Sequence, residues 1–195
     1  MQPNNRWRGA VLGVAGGLVG LLAMRVYQQH LAPALSDAIS DDSRQQDEQQ
    51  DARETQEQPL DSIAVVGEHN KEGESSTAAL GRILYQSLTG EEPESDELKT
   101  TLSYLVHWGF GTLQGGVYGA LREDAEFPDL AGGVAFGAAL WLFNDELLVP
   151  LLGLQDGPTA APPVQHVNRL GAHLAYGSVT ALTTQLLLEV ARADR

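Results

Sequence analysis

Three side chains in otherwise apolar stretches could do chemistry: His107, Glu146 and His173. Two imidazoles and one carboxylate are a donor set for a transition metal, and two imidazoles can ligate haem. The same groups could relay protons, because imidazole titrates near neutral pH. No spacing motif such as HExxH accompanies them, and the sequence names no cofactor. A structural reading competes: Arg25, Asp145 and Arg169 lie at similar depth in the same stretches, so an Arg25–Asp145 or an Arg169–Glu146 ion pair would account for the charges. His30, His69 and His166 read as interfacial or solvated histidines. There is no GxSxG elbow and no cysteine, which removes the common serine-hydrolase arrangement, thiol chemistry and disulfides. No enzymatic activity is expected.

These residues must be positioned by four long apolar segments. Residues 9–27, 98–121, 129–152 and 167–188 each approach the length needed to cross a hydrocarbon core of roughly 30 Å at about 1.5 Å per residue. A charge within such a span costs at least about 2.5–3.5 kcal/mol unless paired or hydrated, which is why the polar residues stand out. The fold class expected is therefore all-α: a four-helix transmembrane bundle with a lipid bilayer as its first partner. A cleaved signal peptide is the competing reading of the first segment, with Ala32-Pro33-Ala34 as the cleavage site. That site lies well beyond the apolar run, and Arg25 intervenes.

Glycine recurs at four-residue intervals: Gly9, Gly13 and Gly17 in the first segment, Gly111, Gly115 and Gly119 in the second, Gly133 and Gly137 in the third. That spacing keeps the glycines on one helical face and lets backbones approach closely. Two helix pairs also resemble each other. His107-Trp108-Gly109-Phe110-Gly111 matches His173-Leu174-Ala175-Tyr176-Gly177, and the run from Gly13 matches that from Gly133. Parallel repeats of this kind predict a pseudo-two-fold axis along the membrane normal.

The remaining material is different. Of the formal charge of -14, residues 33–99 carry 17 acidic against 5 basic side chains, a net of -12. The organisation expected is residues 1–32 as the first span with a short tail, residues 33–99 as an acidic extramembrane insert, and residues 100–195 as three spans and a tail. Within the insert, Asp41–Gln58 is low-complexity and expected to be mobile. Residues 76–88 follow helical spacing, with Ser76 or Thr77 as the cap. The acidic balance argues against nucleic acid as a partner and leaves a homo-oligomer or another membrane protein. Arg6, Arg8, Arg122, Arg192 and Arg195 flank the spans so that both termini fall in the cytoplasm of a bacterial inner membrane, with the insert outside.

His107 with its Gly- and Tyr-containing helix, the Gly-rich start of the third segment, Pro150-Leu151-Leu152-Gly153-Leu154 followed by Pro158, and Gly171-Ala172-His173-Leu174 carry a family resemblance. Over roughly residues 100–190 the chain resembles the YagU-like family of bacterial inner-membrane proteins. The resemblance implies a multi-pass inner-membrane protein linked to acid or envelope stress. It supplies no catalytic residues, and the acidic insert does not look like that family's first loop.

Overall fold

The computed structural model describes residues 6–47, 68–71, 73–122 and 130–193. All regular structure among them is helical: α1 (Arg6–Val26), a π turn (Tyr27–Leu31), α2 (Ala32–Asp47), α3 (Ser76–Thr89), α4 (Asp96–Arg122), α5 (Leu130–Leu140), a π segment (Trp141–Leu148), α6 (Val149–Leu151) and α7 (Pro163–Ala193). Two runs join without a break, α1 to α2 and α5 to α6, so five helical rods result.

Each π stretch ends two residues before a proline. Ala32 N–H bonds to Tyr27 O ahead of Pro33, and Val149 N–H bonds to Asn144 O ahead of Pro150. Proline has no N–H, and its ring collides with the carbonyl four residues back; a wider i→i+5 turn relieves both without ending the helix. The boundary expected at residues 32–33 is therefore crossed by helix. α2 carries it to Asp47, into the low-complexity stretch expected to be mobile. Residues 48–58 of that stretch lie outside the described residues, as do residues 123–129 of the loop after α4.

Small residues decide the packing. Gly13 and Gly17 of α1 meet Gly111, Gly115 and Gly119 of α4, backbone against backbone. A second face of α1, Gly16 and Gly20, meets Tyr176, Thr180 and Thr184 of α7. Gly133 and Gly137 of α5 meet His173, Gly177 and Ala181, again on α7. The residue order in each crossing makes α1 and α5 antiparallel to α4 and α7. Side by side the order is α4, α1, α7, α5, and α4 does not pack closely on α5. The two pairs thus cross through small residues as the repeat suggests, but with a slip of one turn. Gly17 faces Gly111 and Gly115, whereas the matching Ala181 faces Gly133, and Gly177 lies between Gly133 and Gly137.

Large apolar side chains point outward instead. Leu105, Leu113, Val117 and Leu121 on α4 are exposed, as are Val11, Leu18 and Leu22 on α1 and Leu182, Leu186 and Val190 on α7. Two runs, Arg6–Ile39 and Leu130–Leu151, are long and apolar enough to cross a membrane. α4 and α7 do not meet the same standard.

The described end of the insert is ordered by ordinary local signals. Ser75, and not the expected Ser76 or Thr77, caps α3 and accepts from Ala78 N–H at 3.3 Å. Gly90 ends α3 with φ 80° and bonds back to Gln86 O. Ser95 caps α4 through Leu98 N–H at 3.1 Å. α3 lies along α4: Gly81 fits against Leu102, Ala79 is buried, and Thr77 Oγ1 lies 2.8 Å from Ser103 Oγ.

Candidate functional site

A cavity of about 620 Å³ opens at the end of the bundle where α1 ends and α7 begins. Its floor is apolar: Leu21 and Met24 of α1 with Ala172 and Tyr176 of α7 form a buried cluster, with Trp108, Phe136 and Leu140 against it. Below, the rings of Tyr118, Phe136 and Tyr176 stand in file, with centroids 5.0 and 6.4 Å apart. The Tyr176 hydroxyl donates to Gly111 O at 2.6 Å, tying α7 to α4. This aromatic layer closes the bundle beneath the cavity.

The walls are polar. His107 comes from α4, Asn144 and Asp145 from the π segment, Arg169 and His173 from α7. His173 Nδ1 lies 2.9 Å from the Arg169 carbonyl and 3.7 Å from Asp145 Oδ2. A carbonyl only accepts, so Nδ1 carries the proton in that bond and Nε2 is left as the basic nitrogen. Asp145 lies within electrostatic range of His173, Arg169 and His107.

The structure therefore brings together His107, His173, Asp145 and Arg169, and it separates Glu146 from them. Glu146 Oε1 lies 2.7 Å from His166 Nδ1, a pairing that ties the π segment to the first turns of α7. The expected Arg169–Glu146 and Arg25–Asp145 pairs give way to Arg169 beside Asp145, while Arg25 is exposed on α1. The π winding explains the exchange. Each i→i+5 turn takes in about one more residue than an α turn, so side chains after Trp141 are rotated back around the axis. Asp145 thereby comes onto the α7-facing side begun by Gly137, and Glu146 is carried past it. Among the described residues no three His, Asp or Glu side chains are arranged to hold a metal ion, so the expected His107–Glu146–His173 ligand set does not assemble.

Sequence reasoning missed the contribution of the insert. Asn70, Glu74, Thr77 and Leu80 line the cavity from α3 and the segment before it. That segment is clasped by Arg82, whose Nε and Nη2 donate to Glu74 at 3.0 and 2.9 Å and whose Nη2 also donates to His69 O at 2.6 Å. The hydrogen bond from Arg82, with its charge, holds the Glu74 carboxyl below the usual carboxylate range against the opposing effect of burial. His69 N–H then bonds to Gly153 O at 2.9 Å, joining the insert to the turn after α6. The available signal was Arg82 itself, the one charged side chain of α3 and a buried one.

No known protein family, characterised protein or solved structure matches this chain. The chemistry of the cavity therefore has to carry the functional reading.

Proposed function

We propose that this chain is a multi-pass inner-membrane protein that binds a small polar group in a cavity in the outer half of the bilayer. It acts by binding and not by covalent catalysis. Four spans are assigned: α1, α4, the α5–π–α6 rod and α7, with both termini cytoplasmic and the insert outside. The outward Leu, Val and Phe side chains on all four rods support this, since an interior of glycine, alanine and threonine with a large-apolar exterior suits lipid as solvent. α4 and α7 are spans on this reading because their polar residues face inward while their outer stripes are apolar. The observation that carries the binding role is the cavity shared by His107, Asp145, Arg169 and His173. Ionisable groups at membrane depth are costly and mark functional sites by default. A link to acid or envelope stress, implied by the resemblance of residues 100–190, would fit an outward-facing ionisable cavity.

The chain contains no cysteine, so single-cysteine probes are unambiguous. Gln114→Cys, deep in the cavity, should react with a small membrane-impermeant thiol reagent added outside intact cells. Failure to react while the protein is membrane-inserted would reject the outward cavity. Reporter fusions at Asp51 and at the C-terminus check the topology; a cytoplasmic signal at Asp51 with an outward C-terminus would reverse it.

A second reading, a proton relay, is favoured by one observation. Below the cavity, α7 presents Tyr176, Thr180, Thr184 and Gln185 as a buried polar stripe toward the cytoplasmic end. Thr184→Val should abolish proton uptake into reconstituted vesicles if that stripe conducts; unchanged uptake would reject it.

A further inference from the structure

The cavity reaches the molecular surface in two chemically different places. One is polar, where Gln28, Asp156 and Gln165 line the cavity and are exposed. The other is apolar. Phe110, Leu148 and Leu152 also line it and are 44%, 45% and 49% exposed. Phe110 stands on α4, and Leu148 and Leu152 stand across a gap from it at the far end of the α5–π–α6 rod. The gap is bridged toward the outer end by the His69–Gly153 backbone bond and toward the other by the Tyr118–Phe136 ring contact, so between them it forms a window. On the four-span reading, that window faces lipid.

A cavity with a wet mouth, a charged interior and an apolar side window fits an amphiphile better than a free solute. Its charges are of both signs. Arg169 offers a planar set of donors suited to a phosphate, with His107 and His173 beside it. Asp145 offers a carboxylate, and Asn70 Oδ1 is buried without a hydrogen-bond partner, so a ligand donor would satisfy it. The volume is within the range of ordinary ligand sites. Resting on the cavity reading above, we propose that the ligand is a phospholipid with an ammonium–phosphate headgroup. The phosphate is held by Arg169, the ammonium by Asp145 and Asn70, and an acyl chain leaves through the Phe110–Leu148–Leu152 window.

The test uses the full chain carrying Leu148→Cys, reconstituted in phosphatidylglycerol vesicles with or without phosphatidylethanolamine. The readout is modification by a membrane-partitioned maleimide. Phosphatidylethanolamine should slow labelling about tenfold, the factor expected when lipid stands near ten times its Kd. Arg169→Gln should remove that protection, and Arg169→Lys should restore part of it. Equal rates with and without phosphatidylethanolamine, or protection that survives Arg169→Gln, overturn the assignment. Gln114→Cys labelling by the water-soluble reagent separates the two failures. If it reacts but lipid gives no protection, the cavity stands and the lipid is wrong; if it does not react, the cavity reading itself fails.

Discussion

Gly115→Ala and Gly109→Ala form a matched pair on α4. A methyl group at Gly115 would sit 2.5 Å from Gly13 O, 2.5 Å from Gly17 Cα and 2.8 Å from Gly17 N, all backbone atoms of α1. An ordinary contact begins near 3.4 Å, so α1 and α4 would have to separate by about 0.9 Å. A gap of that order forfeits about a quarter to a half of each dispersion contact along the crossing. Overpacking of this kind costs about 1–3 kcal/mol. A methyl group at Gly109 meets nothing within 4 Å. Both substitutions gain the same helix propensity, up to about 1 kcal/mol, so the difference between them isolates the clash. The expected result is that Gly109→Ala is neutral or slightly stabilising and Gly115→Ala is less stable than it by about 1–3 kcal/mol. Unfolding of detergent-solubilised protein, followed by circular dichroism across a denaturant series, measures both. Equal stabilities would refute the backbone-to-backbone crossing of α1 on α4.

Arg82→Ala strands the Glu74 carboxylate, whose side chain is only 14% exposed, and breaking such a pair costs about 3–5 kcal/mol; hydrogen exchange of the α3 amides should rise sharply while α7 stays protected. Because Arg82 depresses the folded-state pKa of Glu74 below its ordinary value, the contribution is complete above that ordinary value and lost as pH falls through the depressed one. The α3 amides should therefore stay protected at mildly acidic pH and lose protection only in strong acid; protection that fails at neutral pH would contradict this. Glu146→Gln should cost about 1.5–3 kcal/mol through the His166 bond yet leave Leu148→Cys protection by lipid unchanged, whereas Asp145→Asn should weaken that protection. Tyr176→Phe removes the hydroxyl bond to Gly111 O and should lower stability by about 0.5–1.5 kcal/mol in the same denaturant series; a neutral change would show that bond carries no weight.

Helical content and its approximate limits were legible in the sequence because they depend on local composition. The apolar runs and the helical spacing of residues 76–88 act within a few residues. The glycine spacing likewise announced close crossings, since a four-residue interval fixes one face whatever the partner. Which carboxylate faces the histidines was not legible. Asp145 and Glu146 are adjacent, and the choice between them turns on the π winding that Pro150 imposes upstream of itself, a rotation that α-helical periodicity does not contain. The same holds for Pro33, which composition marks as a boundary and which the π turn at Tyr27–Leu31 absorbs into a continuing helix. Arg82 stood out in the sequence, but its partners Glu74 and His69, and the window between α4 and the α5–π–α6 rod, belong to tertiary structure alone. Both arise from which rods fail to touch and which distant segments meet, His69 with Gly153 above all. Contacts across that much chain are set by three-dimensional packing, on which a local pattern of residue types is silent.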